Sequence, residues 1–237
     1  KFIVANKDNA KVRELVSKAI WYGKSDANYV YSDVQQSKDG LHFKINGIDI
    51  RSPMIGAFQA ENITGCFAMA RELGVEEKTI VEAIAEFKGM KRRLEKRLEG
   101  KVTIFDDIAH SPEKAASVLE NIRKIYSGKI TAVFEPNIGG RSRESAIKYD
   151  NAFKNADTVI IPRLTKLKIS EEKEAPMEGD ELAQVISKTH SNTLYIGNDD
   201  ELVKKLITSG DVIVFLGSHG FRGMIEQTIT SLHQQSL

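Results

Sequence analysis

The spacing of hydrophobic residues divides the chain near residues 97–100. Beyond that point, short apolar runs alternate with segments in which apolar residues recur at helical spacing. Strands are predicted at 102–106, 129–134, 157–161, 193–196 and 211–216, and helices at 112–126, 144–154, 178–188, 199–207 and 222–233. Strands separated by helices are typical of a parallel sheet covered by helices. We therefore predict an α/β fold with a Rossmann-like domain and a mostly parallel sheet over residues 99–237.

Residues 1–98 have a less regular pattern that also mixes strands and helices. The predicted elements are a strand at 1–5, a helix at 10–20, a strand at 29–34, a hairpin at 41–50, and helices at 57–73 and 76–87. The hairpin is indicated by Asn46-Gly47, which lies between two alternating runs. We expect this part to be the end of an α/β domain.

Composition excludes several classes of protein. The 34 basic and 33 acidic residues give a net charge of +1, which argues against binding to bulk nucleic acid or to an acidic membrane surface. No apolar stretch approaches the roughly 20 residues of a membrane span. Cys66 is the only cysteine, which excludes an intrachain disulfide and fits a cytoplasmic location. The chain opens on a strand at Lys1, so we expect it to be a piece of a longer protein.

Polar residues follow three of the predicted strands. Asp106 and Asp107 end the first strand of the second domain, and the loops 135–142 and 217–223 follow two others. Because ligands bind beyond the carboxyl ends of parallel strands, the three segments predict a binding site. The two aspartates could instead form an Asx turn before the helix that starts at Pro112.

Other candidate features also have structural alternatives. The loop 217–223 could be a glycine-rich turn that binds nothing, and the basic run 88–97 could be a solvated strand face. Gln59, Glu61 and Asn62 could simply be the first turn of a helix. The sequence contains no dinucleotide-binding glycine motif, no phosphate loop and no His or Cys pair at metal-ligand spacing, so no metal site is predicted. Residues 170–179 form the most loop-like stretch.

Four motifs in register resemble the Mur ligase superfamily of ATP-dependent amide-bond ligases. They are Val4-Ala-Asn-Lys-Asp-Asn9, Gly56-Ala-Phe-Gln-Ala-Glu-Asn62, Phe87-Lys-Gly-Met-Lys-Arg-Arg93 with Glu95, and Asp107-Ile-Ala-His-Ser-Pro112. Each motif alone is weak, but their order and spacing match the family across essentially the whole chain. The resemblance implies that residues 1–98 are the end of the ATP-binding central domain and that residues 99–237 are the C-terminal domain.

The resemblance also implies roles for individual residues. Asn62, Arg93 and Asp107 would contact the nucleotide, and Asp107 and His110 would be catalytic. His110 and Ser111 would lie near the substrate and the transferred phosphate. ATP and Mg²⁺ would be required, with the metal ligands outside the sequence given. The chain would lack the family's phosphate loop and would be inactive alone.

Two further segments narrow the resemblance. Val133–Arg143 resembles the muramate-specific branch of the family, and Gly210–Gln227 resembles the branch that recycles murein peptides. In that branch a tripeptide with free carboxylates is joined to UDP-N-acetylmuramate, so Arg141 and Arg143 would bind substrate carboxylates. The alternative for these arginines is the surface of the following helix, beside Glu144.

Three departures from the family pattern put the amine substrate in doubt. Asn137 stands where an arginine or histidine is usual, Ile108 replaces a tyrosine, and His219 lies in a normally glycine-rich turn. Ligation of L-alanine to UDP-N-acetylmuramate is therefore an alternative, since that branch shares the same motifs. A third hypothesis is a non-catalytic module that binds a nucleotide or a partner.

Overall fold

The computed structural model describes residues 1–166 and 175–235, which form two compact units, Lys1–Gly89 and Met90–Leu237. The sequence places the boundary later, near residues 97–100. Residues 90–98 belong to the second unit because a strand within them pairs with its sheet. Residues 167–174, which include the first half of the loop predicted at 170–179, lie outside the described residues.

The first unit contains a five-stranded sheet with the order β1-β2-β3-β4-β5. Its strands are β1 (Val4–Asn6), β2 (Ile20–Gly23), β3 (Tyr29–Ser37), β4 (Gly40–Ile45) and β5 (Ile48–Ser52), and its helices are α1 (Ala10–Leu15), α2 (Gln59–Glu72) and α3 (Glu77–Glu86). The first three strands are parallel, and β3, β4 and β5 form an antiparallel meander. Helices α2 and α3 cover a core centred on Phe43, Ile45 and Phe67.

The predicted hairpin is confirmed, while the predicted helix at 10–20 is too long. Asn46 and Gly47 both have positive φ, at 49° and 85°, as the tight turn between β4 and β5 requires. Helix α1 ends at Leu15 because Ile20 pairs with Val4 at the start of β2. That strand was not predicted, since the apolar residues of 15–20 fit helical spacing as well.

The second unit contains a six-stranded sheet with the order β10-β9-β8-β11-β7-β6. Its elements are β6 (Glu95–Leu98), β7 (Thr103–Asp107), α4 (Pro112–Arg123), β8 (Ile130–Glu135), β9 (Thr158–Pro162), α5 (Gly179–Ser187), β10 (Thr193–Ile196), α6 (Asp199–Leu206), β11 (Val212–Gly217) and α7 (Met224–Gln234). Edge strand β6 is antiparallel to β7, and the other neighbours are parallel. The predicted α/β class and mostly parallel sheet are confirmed.

The central strands of this sheet are buried along their whole length. Strands β7, β8 and β11 contain no exposed residue, which explains their nearly continuous apolar runs. Phe215 on β11 packs edge-to-face on Phe221, with ring centroids 5.1 Å apart. None of the helices in the described parts is long and apolar enough to cross a membrane.

The helix predicted at 144–154 is replaced by two short 3₁₀ helices, Ile138–Arg141 and Arg143–Tyr149. Side-chain hydroxyl groups donate hydrogen bonds to the backbone carbonyl oxygens that would accept from N–H groups in an α-helix. Ser145 donates to the carbonyl oxygens of Gly140 and Ser142, and the Tyr149 hydroxyl also donates to Gly140. Such side-chain hydrogen bonds compete with regular helix formation.

Two glycines of the hairpin should respond differently to alanine. Both have positive φ, but a Cβ on Gly40 would lie 2.0 Å from the carbonyl oxygen of Ser52, whereas a Cβ on Gly47 would meet nothing within 4 Å. We expect Gly47→Ala to lower the free energy of unfolding by about 1 kcal/mol and Gly40→Ala by roughly 3 kcal/mol. Fluorescence of Trp21, the only tryptophan in the sequence, reports urea unfolding of this unit. Equal losses would show that the Ser52 contact does not matter.

Candidate functional site

The structure brings three of the predicted strand ends together in the second unit. Asp107 on β7 is level with Leu216 on β11, and Gly217 is level with Glu135 on β8. The segments that follow these strands therefore leave the sheet side by side. The backbone N–H of Asn137 donates to the carbonyl oxygen of His110 at 3.2 Å, which ties two of these segments together.

Both carboxylate oxygens of Asp107 are bound by backbone N–H groups. One accepts from Leu94 at 2.7 Å and the other from Ala109, also at 2.7 Å. Burial raises the pKa of the Asp107 carboxyl, although these two donors oppose the shift. The contact to Ala109 is the predicted Asx turn, but the helix cap itself is Ser111, whose Oγ accepts from the N–H of Lys114. A contact between Asp107 and nucleotide stays a prediction.

Arg92, which the sequence analysis did not single out, connects three segments of the site. Its guanidinium donates to the carbonyl oxygens of Gly217, Ser218 and His219 and lies 3.4 Å from the buried Asp106 carboxylate. Burial raises the pKa of Asp106, and Arg92 opposes that shift. Arg92 thus balances a buried charge and holds the glycine-rich loop after β11. In the sequence, Arg92 is one of six basic residues in the run 88–97, and nothing there distinguishes it from the other five.

The neighbouring Arg93 is presented to solvent by a constrained backbone. Arg92 and Leu94 both have positive φ, at 57° and 50°. The N–H of Leu94 is held by Asp107, and the carbonyl oxygen of Arg92 accepts from the N–H of Ile108. Arg93 is exposed, and its side chain has no hydrogen bond or ion pair to residues 1–166 or 175–235. An exposed, unpaired guanidinium fits the negative charge of a nucleotide phosphate.

The imidazole of His110 is oriented by its own backbone. Nδ1 lies 2.8 Å from the carbonyl oxygen of Ile108, so Nδ1 donates this hydrogen bond, and in the neutral ring the lone pair is on Nε2. His110 and Ser111 are both half-buried. Since Ser111 caps α4, the structure gives it a local role and leaves its predicted substrate contact as a prediction.

A second group of charged residues lies at the ends of β8, β9 and β11. Glu135, 1% exposed, accepts from the N–H and the hydroxyl of Thr165 through one oxygen. Its other oxygen is 3.5 Å from Arg222, which also contacts Asp199, and Asp199 in turn pairs with Arg163. None of these four charged residues was predicted as a site residue. Arg222 and Glu135 lay within predicted loops, whereas nothing in the sequence marked Arg163 or Asp199.

The two arginines predicted to bind substrate have different environments. Arg141 is 2% exposed, and its guanidinium donates to the carbonyl oxygens of Met177 and Thr165 and to the Glu178 carboxylate at 3.0–3.1 Å. Arg143 is exposed and pairs with Glu181 at 3.2 Å. Arg141 is therefore a buried side chain that links its own segment to Met177, Thr165 and Glu178. Glu144 does not contact it in any described contact.

In the first unit, Asn62 lies in the first turn of α2. Its side-chain amide donates to Oε1 of Gln59 at 3.1 Å, and it is exposed. Glu61, next to it, accepts a hydrogen bond from the Asn6 side chain at the carboxyl end of β1. Exposed amide groups at a helix start suit a nucleotide contact, which for Asn62 stays a prediction. Within the described residues, no group of three His, Cys, Asp or Glu side chains could hold a metal ion.

Comparison with known families and sequences gives a consistent result. The Mur ligase, glutamate ligase domain model matches residues 92–219, more than half of the chain. A UDP-N-acetylmuramate–L-alanine ligase from Bradyrhizobium sp. is 34% identical over 204 residues, which is 83% of this chain and 42% of that protein. The chain thus spans less than half the length of this curated relative.

Two solved structures show the same fold. The UDP-N-acetylmuramate–alanine ligase of Thermotoga maritima has a TM-score of 0.77 at 18% identity, covering 100% of this chain and 52% of that one. The murein peptide ligase of Psychrobacter arcticus has a TM-score of 0.60 at 21% identity, covering 97% and 51%. These two structures show the fold alone. The sequence similarity supports the L-alanine ligases, whereas the motif resemblance favours the murein peptide ligases.

Removing the Asp107 carboxylate should destabilise the second unit. Asp107→Ala leaves the N–H groups of Leu94 and Ala109 buried without acceptors, so we expect a loss of roughly 2–4 kcal/mol in the free energy of unfolding. Asp107→Asn should lose less, because one acceptor remains. Chemical denaturation followed by circular dichroism would measure both. An Asp107→Ala variant as stable as the wild type would contradict this role.

The raised pKa of Asp107 predicts that the free energy of unfolding depends on pH. Because the folded pKa of Asp107 is raised, the folded state binds this proton more tightly, and stability falls as pH rises from about 4 through the folded pKa. Asp107→Asn should show a smaller fall over this interval. The measurement is the free energy of unfolding against pH for the wild type and for Asp107→Asn. Parallel curves for these two proteins would show that Asp107 does not titrate in this interval.

Arg141→Lys should be far more destabilising than Arg143→Lys. Lysine keeps the charge but cannot reach the three separate acceptors that Arg141 binds, so two of them lose their donor. We expect a loss of about 2–3 kcal/mol at Arg141 and less than about 0.5 kcal/mol at the exposed Arg143. Thermal and urea unfolding would compare them. Equal small effects would mean that the Arg141 contacts are dispensable.

Proposed function

The chain belongs to the Mur ligase family through its glutamate ligase domain, and we propose that the full-length protein containing it is an ATP-dependent ligase that joins L-alanine to UDP-N-acetylmuramate. The observation that carries this proposal is the 34% identity to a UDP-N-acetylmuramate–L-alanine ligase over 83% of the chain. The converging polar strand ends of the second unit supply a site of the required kind. Because the reaction consumes ATP, we assign it to the cytoplasm.

The proposed reaction has two steps. The γ-phosphoryl group of ATP passes to the muramate carboxylate, which yields an acyl phosphate and ADP. The amine then attacks the acyl carbon, phosphate leaves, and the nitrogen loses a proton. Phosphoryl transfer depends mainly on positioning and charge stabilisation. Mg²⁺, when bound, would neutralise part of the phosphate charge, and Arg93 is the residue of this chain best suited to add to it.

His110 is the proposed proton acceptor for the second step. Its Nδ1 proton is directed to the Ile108 carbonyl, so the Nε2 lone pair faces away from that bond and can accept a proton. The unit Lys1–Gly89 would be the end of the ATP-binding central domain, with Asn62 on the nucleotide side. The unit Met90–Leu237 would be the C-terminal domain. Asp107, in this proposal, acts by holding the segments of Arg93 and His110 together.

A murein peptide ligase is the second candidate. It is supported by the resemblance of Gly210–Gln227 to that branch and by the shared fold. Both candidates use UDP-N-acetylmuramate and ATP and differ in the amine. A carboxylate-bearing amine is common to both.

The amine preference of the full-length protein tests the proposal. With ATP, Mg²⁺ and UDP-N-acetylmuramate, we expect kcat/KM to be at least 100-fold higher for L-alanine than for the L-alanyl-γ-D-glutamyl-meso-diaminopimelate tripeptide, with mass spectrometry identifying the product. The reverse preference would support the peptide ligase. ATP binding without ligation of either amine would support the non-catalytic module.

A further inference from the structure

The turn after β11 forces one arginine into an unfavourable backbone conformation. Phe221, Arg222 and Gly223 have φ values of 51°, 51° and 83°, so two non-glycine residues occupy the left-handed region in succession. Side chains other than glycine rarely adopt it without compensation. Phe221 is fully buried against Phe215, which holds the turn from one side. On its other side, the turn is held by the contacts of the Arg222 side chain.

Arg222 is held between two carboxylates. Its Nε and Nη2 donate to the two oxygens of Asp199 at 2.9 and 3.1 Å, a bidentate contact. Its Nη1 lies 3.5 Å from Oε2 of Glu135, which has no hydrogen bond within the described residues. Because Glu135 is 1% exposed, its charge needs a nearby cation. Arg222 is therefore committed to these two groups.

Arg163 is the cation of this cluster that remains available. It follows β9 directly, and its Nη2 donates to Oδ2 of Asp199 at 2.9 Å. Its side chain is 57% exposed, compared with 28% for Arg222 and 24% for Asp199. No second partner for its guanidinium exists among residues 1–166 and 175–235. One nitrogen of a planar five-donor group is thus engaged, and the side chain leaves its other donors accessible.

From this arrangement we propose that Arg163 binds a carboxylate of the amine co-substrate, with Asp199 and Arg222 as positioning residues. The proposal rests on the proposed function, in which the amine is L-alanine or a peptide, both of which carry a carboxylate. A guanidinium already held by one hydrogen bond loses less freedom when it binds a carboxylate through its other donors. Arg141, which the sequence favours for this task, is buried, and each of its three guanidinium nitrogens already donates a hydrogen bond, to Met177, Thr165 and Glu178.

Asp199 sets the direction of the Arg163 fork. It lies at the start of α6, where a carboxylate is favoured by the helix dipole, and Arg222 lowers its pKa, so it stays ionised at neutral pH. Glu135 contributes by pairing with Arg222, which in turn contacts Asp199. The four residues carry two positive and two negative charges, so a carboxylate at Arg163 meets a cluster with no net repulsion.

The test compares L-alanine with L-alaninamide, which lacks the carboxylate, in the full-length protein. We expect the wild type to prefer L-alanine at least 100-fold in kcat/KM. Arg163→Ala should reduce this preference at least tenfold while leaving KM for ATP within twofold, and Arg163→Lys should fall between. Asp199→Asn should raise KM for L-alanine with little change in kcat. Lys204→Ala, which removes an equal charge from the exposed side of α6, is the control and should match the wild type.

The possible outcomes separate the two proposals. Ligation by the wild type with an unchanged preference in Arg163→Ala would overturn the assignment of Arg163 and leave the proposed function standing. No ligation of any amine by the wild type would remove the proposed function and this assignment with it. Circular dichroism of each variant checks folding, and Arg163→Lys provides the second reading if Arg163→Ala is unstable.

Discussion

Three buried carboxylates at the carboxyl ends of adjacent strands impose the constraint on which the second unit depends. Asp106 and Asp107 end β7, Glu135 ends β8, and none is more than 7% exposed. An ionised group removed from water must be compensated by cations or hydrogen-bond donors. Each carboxylate has a different solution: Arg92 for Asp106, two backbone N–H groups for Asp107, and Thr165 with Arg222 for Glu135.

These solutions explain where the backbone departs from ordinary geometry. Arg92, Leu94 and Arg222 all have positive φ, and each contacts one of the three carboxylates. Left-handed residues other than glycine persist when surrounding contacts over-determine them. The turn that brings Arg92 to Asp106 also leaves its neighbour Arg93 exposed. Arg163 is connected to the buried Glu135 only indirectly, through Asp199 and Arg222.

The arrangement divides the sheet edge into two regions with different chemistry. Arg93 and His110 lie near β7, toward one side of the sheet, whereas Arg163 follows β9, toward the other. A ligase of the proposed kind must hold a nucleotide, an acyl group and an amine at once, and order them before reaction. Strands β11 and β8 lie between these two regions of the sheet edge.

The sequence by itself determined the alternation of strands and helices after residue 100, the hairpin at Asn46-Gly47 and the strand ends where polar residues gather. These features are local: they follow from hydrophobic spacing and turn chemistry within a few residues. Its motifs also identified the family. The shortened helix α1, the strands β2 and β6 and the 3₁₀ segment at 143–149 were missed or altered, because pairing with distant strands and hydroxyl contacts overrode local preference.

Only the tertiary structure decided which arginine performs which task. Arg92 and Arg93 are adjacent in the sequence, and Arg141 and Arg143 are two residues apart. Arg92 and Arg141 make mainly internal contacts, whereas Arg93 and Arg143 are exposed. Asp199 and Arg222 are 23 residues apart in the sequence and meet because α6 and the turn after β11 lie at the same edge of the sheet. Burial and partner are properties of that long-range arrangement, so residue type and spacing alone could not assign them.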